Sequence, residues 1–181
     1  MDIRLPKATG SGAEIRLSRP VRRTTDFVQA LQVMQKMVGA RHFAVLRVSG
    51  NGMPASRKLV CVLSNWAAQT ETSAVELLRC HGATMMEHLE RSMLPLFWDG
   101  AGDGLAADGV MRPFTSKMES GGMSSSGIAF PVRLGSAGNG YVVFTGSFID
   151  LSSEIVIDTH MRCCQMMIDM LVADERKAAP A

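Results

Sequence analysis

Residues 121–147 read GGMSSSGIAFPVRLGSAGNGYVVFTGS. Two runs rich in β-branched and aromatic residues, GIAFPVRL (127–134) and YVVFTGS (141–147), flank the glycine- and asparagine-bearing GSAGNG (135–140). Apolar runs on either side of such a turn are a strong local signal for a β-hairpin. An antiparallel sheet is therefore expected, and the fold depends on what covers its faces.

A second hairpin is expected nearer the N-terminus. HFAVLRVSG (42–50) and RKLVCVLSN (57–65) are separated by the turn-forming SGNGMP (49–54). The second run is nearly unbroken in apolar residues, as in a strand covered on both faces. Helices are expected around these strands. TTDFVQALQVMQKMVGA (24–40) opens with capping residues, places Phe27, Leu31, Met34 and Val38 at helical spacing, and reaches Gly39 as a stop. LSSEIVIDTHMRCCQMMIDMLVADERK (151–177) reads as a long closing helix of about five or six turns, with Ser152 or Ser153 as cap and Ile155, Thr159, Met166 and Met170 on one face. WAAQTETSAVELLRCHGATMMEHLERSM (66–93) reads as two helices broken near Gly82, and LPLFWDGAGDGLAADGVMRPF (94–114) as a loop with short helical pieces. The order of elements gives an α+β fold: a PAS/GAF-like antiparallel sheet with helices packed on its faces, an α-β-α sandwich.

Composition bounds the function. With 181 residues, 46% hydrophobic and 20% charged, one domain with a substantial core is expected. A formal net charge of +2 is too small to argue for nucleic acid or an anionic membrane, and the basic RLSRPVRR (16–23) reads as a solvated arm. No apolar run approaches the ~18 residues that span a bilayer, and no signal segment opens the chain, so a cytoplasmic location is expected. Cys61, Cys80, Cys163 and Cys164 form no C-x-x-C pair, so neither a zinc site nor any cofactor is expected. GMSSSG (122–127) is not a nucleophile elbow, because its serines precede a strand instead of a helix. The carboxylates Glu87 and Glu90 fall on a solvated face, His42, His81, His88 and His160 lack neighbouring motifs, and the chain is read as a non-enzyme. Glycine-rich AGDGLAADG (101–109) lacks calcium-loop spacing and reads as a surface loop. Fourteen methionines read mostly as core filler.

Three motifs in sequence order resemble the autoinducer-binding domain of LuxR-type quorum-sensing regulators. Trp66 follows the second strand in LSNWAAQ, Trp98 stands in LPLFWD, and Ser126, Gly127 and Pro131 lie in GMSSSGIAFPV. The resemblance spans residues 24–175, with 1–23 an arm and 176–181 the start of a linker. It implies a small signal molecule held between sheet and helices, homo- or heterodimerisation, and DNA contact only through a C-terminal helix-turn-helix absent from this chain. Trp66 and Trp98 are then pocket walls and Ser126 a polar anchor, and the residue pattern, independently of the family, adds Phe43, Val62, Thr70, Met86, Phe97, Phe114 and Ala129 as expected ligand-binding residues. The chain departs from the family pattern at Val62 and Thr70, where tyrosines are usual. It departs again at Ala83, where the count places the aspartate that accepts the ligand's amide N–H. The expectation is an orphan-type sensor whose pocket is retuned to a less polar ligand or filled by Met85, Met86 and Met93. The alternatives are a ligand-independent homo- or heterodimerisation module, or a GAF-like enzyme or redox sensor using Cys80 or the Cys163–Cys164 pair.

Overall fold

In a computed structural model, residues 23–50, 53–66, 73–100, 115–135 and 138–178 are described. The first helix, α1 (Thr24–Met37), is secured by Asp26, whose carboxylate accepts the Arg23 N–H at 2.8 Å. It ends at Gly39, whose φ of +70° lets Ala40 N–H bond back to the Gln35 carbonyl. Strands β1 (His42–Ser49) and β2 (Lys58–Ser64) form the first hairpin, with a 3-10 turn at Pro54–Ser56 between them. Helix α2 (Ala74–Arg91) is capped by Ser73, whose hydroxyl accepts the Glu76 N–H. Short strands β3 (Leu96–Trp98) and β4 (Ser116–Lys117) follow. Strands β5 (Ser126–Arg133) and β6 (Asn139–Gly146) are the hairpin that the glycine-rich turn announced, in register from Ser126 opposite Gly146 to Arg133 opposite Asn139. Helix α3 (Ser153–Ala178) closes the fold.

The sheet runs β2-β1-β6-β5-β3-β4, antiparallel throughout except for the parallel β3–β4 pair. Because side chains alternate across a pleated strand, each strand serves two cores. Phe43 and Val45, Ile128 and Phe130, and Val142 and Phe144 point to one face, where Leu31 and Met34 of α1 and Val156, Cys163 and Met167 of α3 cover them. Ala44, Leu46, Ala129, Tyr141 and Val143 point to the other face, under Leu77, Met85 and Leu89 of α2. This is the expected α+β sandwich.

Three local expectations are corrected. Residues 74–91 form one helix, unbroken at Gly82. A glycine inside a helix costs about 1 kcal/mol relative to alanine, less than burying Leu77, Met85 and Leu89 returns. Leu96–Trp98 is a strand and not a loop, since its three buried residues pair with Gly127–Ala129 of β5. Helix α3 is 26 residues long, a turn or more beyond the expected length.

Candidate functional site

The α2 face of the sheet carries the polar groups that the α1/α3 face lacks. Along one end of the sheet, His42 pairs with Thr145, Thr145 with Gly127, and Gly127 with Trp98. Trp66, just past β2, stacks on His42 with ring centroids 6.0 Å apart and planes 4° from parallel. The row therefore runs Trp66, His42, Thr145, Gly127, Trp98, from one indole to the other. Trp98 is fully buried, and its indole N–H donates to the Ser125 carbonyl at 3.1 Å. Its ring lies over Gly127 so closely that a Cβ at that position would overlap it, which is why this strand residue is glycine. Trp66 is held by its backbone N–H, which donates to Ser64 Oγ at 2.9 Å. That hydroxyl donates in turn to the Phe43 carbonyl.

Further along the same face, the phenol of fully buried Tyr141 donates to the Met85 carbonyl at 2.8 Å. Its single proton is thereby used, so it accepts from His88, whose Nδ1 lies 2.9 Å away. That fixes the His88 tautomer with the proton on Nδ1 and leaves Nε2 a bare acceptor. Burial holds His88 below its ordinary pKa and pushes the Tyr141 phenol up, so both are neutral near pH 7.

Several buried polar atoms on this face have no hydrogen-bond partner: the indole N–H of Trp66, the hydroxyl of Thr145, and His88 Nε2; the Ser125 hydroxyl, in the bend before β5, is unpaired as well. On the opposite face only the Thr159 hydroxyl is so left among the described residues. A buried polar group without a partner costs about 1–3 kcal/mol, so such groups are rare unless something outside the chain meets them.

A family model for the autoinducer binding domain matches residues 23–173. The chain belongs to the autoinducer-binding domain family. It is thus a ligand-sensing domain of the kind found in LuxR-type regulators, and its ligand is a small signal molecule. Among solved structures, it is similar to a domain assigned to a two-component sensor histidine kinase protein from Sinorhizobium meliloti 1021. That likeness has a TM-score of 0.51 and 11% identity, and covers 84% of this chain and 95% of that one. It is similar also to NpR6012g4, a red/green cyanobacteriochrome in its red-light-absorbing state, with a TM-score of 0.46 and 13% identity over 86% of this chain and 96% of that one. At such identities the first likeness speaks to fold alone. No curated protein matches.

Within this autoinducer-binding domain the residues anticipated for the site divide between the two faces. Trp66, Trp98, Ala129 and Met86 all lie on the α2 side. Phe43 and Phe97 point the other way, into the α1/α3 core. Ser126 shares their face by strand parity, and its hydroxyl is engaged. It donates to Asp99 Oδ1 and accepts from Gly100 N–H, both at 3.0 Å. Adjacent residues on a strand face opposite ways, so Phe97 and Trp98 cannot wall one cavity. Val62 is the extra residue of a β-bulge, since Val45 pairs with Leu63 and Leu46 with Cys61, and it is exposed. Met93 is exposed as well, so it fills no pocket, whereas Met85 is fully buried. Thr70, Phe114 and the 101–109 loop lie outside the described residues.

The other histidines have structural partners. His81 is buried, with Nε2 3.0 Å from the Ser120 carbonyl, and His160 Nε2 lies 2.7 Å from the Pro131 carbonyl. All four thiols are pushed up: Cys61, Cys163 and Cys164 chiefly by burial, Cys80 by its hydrogen bond to the Glu76 carboxylate. A raised thiol is a poor nucleophile and a poor redox sensor. The described residues hold no cluster of three or more metal-ligating side chains, and no helix among them is long and apolar enough to cross a membrane.

Sequence reasoning missed His42, His88, Ser125, Tyr141 and Thr145. Tyr141, the chain's one tyrosine, stands inside an apolar strand, and a phenol there requires a partner. That signal was available.

Proposed function

We propose that this domain is the signal sensor of an orphan-type LuxR-like regulator, with a pocket on the α2 side tuned away from acyl homoserine lactones. One observation carries the reading: among the described residues, no carboxylate of α2 faces the sheet. The sheet-facing positions are Ala74, Leu77, His81, Met85 and Leu89. Glu87 and Glu90 are exposed, and Glu76 is engaged by Arg79 at 2.9 Å. Ala83, where the count placed the family's aspartate, is exposed too. Asp99 lies beside Trp98 in sequence, but its carboxylate is held by Ser126. A ligand amide N–H buried without a charged acceptor forfeits one of the stronger contacts open to it.

Thermal-shift titration of the protein with a series of acyl homoserine lactones tests this. A ligand bound a hundredfold above its Kd adds about 2.7 kcal/mol to stability, which is easily read. Little stabilisation is expected at micromolar lactone, and a large shift there sinks the reading.

A second reading has its own support. Ile157, Met161, Ile168 and Val172 are exposed along α3, with Val33 exposed on neighbouring α1. Spacings of four, seven and four residues keep the α3 set on one helical stripe. In this reading the stripe joins two copies, or this chain and a related one, and any DNA contact is made by a separate helix-turn-helix. Sedimentation of wild type against Met161→Glu with Ile168→Glu decides it: the pair is expected to yield monomer where wild type is dimer.

A further inference from the structure

The two helices that cover the α1/α3 face leave a groove between them. It measures about 250 Å3, is partly open to solvent, and is lined by Ala30, Val33 and Met34 of α1 and by Arg162, Gln165 and Met166 of α3. The whole sheet separates it from α2 and the tryptophans. Met34 and Met166 are each 2% exposed and form its floor, with Cys163 Sγ 3.7 Å from the Met34 sulfur. The small side chain of Ala30 leaves space that a leucine would take. An apolar cavity of ~150 Å3 already admits benzene, so this groove has room for a short alkyl chain. Two thioethers suit such a chain, because methionine adapts its shape to an irregular guest.

Arg162 is the one charged residue of the lining. Its Nε–H donates to Asp158 Oδ2 at 2.9 Å, an exposed pair one helical turn apart. Such pairs contribute little to stability, but this one holds the guanidinium by a single edge. The two Nη groups of the other edge have no partner among the described residues. Parallel N–H groups on that edge match the two oxygens of a carboxylate. The acidic neighbours are engaged, Asp158 by Arg162 and Asp169 by the Gln165 amide at 3.0 Å.

We propose that the α1–α3 groove is a second ligand site, which takes a short aliphatic carboxylate, its chain over Met34 and Met166 and its head on the outer edge of Arg162. The site stands apart from the α2 side and does not depend on the sensor reading. A cationic amphiphile is repelled by Arg162. An uncharged one fills the groove but leaves the Nη edge without its charged acceptor, so it binds less tightly.

Methionine-methyl NMR of the protein titrated with octanoate reads the two sides of the sheet separately. Met34 and Met166 report on the groove, Met85 and Met118 on the α2 side. Octanoate is expected to shift the first pair to saturation and to leave the second in place. Octan-1-ol should bind the groove about tenfold more weakly, and Arg162→Gln should bring octanoate down to the same level, the loss of a charge-assisted bond at an exposed residue. Ala30→Leu, with its melting temperature checked against wild type, should abolish the shifts. Shifts that are absent, or confined to Met85 and Met118, overturn the site. Equal binding of octan-1-ol and octanoate, or no effect of Arg162→Gln, overturns the carboxylate class. Met34 and Met166 signals that move with protein concentration alone make the groove a contact between copies and overturn the site as well.

Discussion

The two faces of this sheet are built from alternate residues of the same strands, yet they differ in kind. On the α1/α3 face, Phe130 packs edge-on against Phe144 with centroids 6.1 Å apart, and the surrounding side chains are almost all hydrocarbon or sulfur. On the α2 face, two tryptophans, a tyrosine and three histidines bring polar atoms to the sheet, and several stay unpaired. The first face is an apolar core that sets stability. The second gives up stability at the unpaired polar atoms. A pleated strand allows this division because a change on one face leaves the other face's side chains in place.

Substitutions can break the contrast. The largest effect is expected on the closed face: Phe130→Ala removes a fully buried ring and should cost about 3–5 kcal/mol, read by chemical denaturation. The emission of buried Trp98, on the other face, should change little in the remaining folded fraction. Next in size is Tyr141→Phe on the α2 face. It deprives both the Met85 carbonyl and His88 Nδ1 of a partner and should cost about 1–3 kcal/mol. If the loss is near zero, the Tyr141–His88 pair is not fixed as described.

The smallest effect is a pH dependence. His88 is held below its ordinary value of 6.5 by burial, so the unfolded chain binds the proton more readily than the folded one. Stability from this group is present above pH 6.5 and is lost as pH falls through the lower folded value. The difference between wild type and His88→Gln, measured by denaturation between pH 7.5 and pH 5 (about the range in which histidine titrates), should therefore shrink or reverse on the acid side. A difference that is flat with pH would mean that His88 is not desolvated.

Much of the architecture was legible in the sequence, since it rests on local chemistry. The 121–147 hairpin announces itself by its turn, α1 by its spacing and its stop at Gly39, and α3 by its amphipathic run. The family was legible in Trp66, Trp98 and the SSSGIAFP segment. The allocation of side chains to faces was not. Phe97 and Trp98 sit together in print and apart in space, because a three-residue strand following Pro95 carries too little pattern to show that it is a strand at all. With β3 taken as a loop, nothing separated Phe97 from Trp98. The unpaired hydroxyls of Ser125 and Thr145 were equally hidden, since whether a partner is missing depends on register across strands distant in sequence.

The bulge at Val62 gives the edge strand a particular tolerance. Leu59 and Cys61 turn toward α2 while Leu63 turns toward α1 and α3, and the inserted residue between them absorbs the change of phase. Removing Val62 would straighten the ladder and leave every neighbour facing as it does now. Removing Val60 leaves the same number of residues between Leu59 and Leu63, so closing the bulge keeps both leucines on their faces while Cys61 and Val62 each move one place along the ladder. Within a single strand, then, one surplus residue lets the chain lose any of the three positions between those leucines without turning either leucine over.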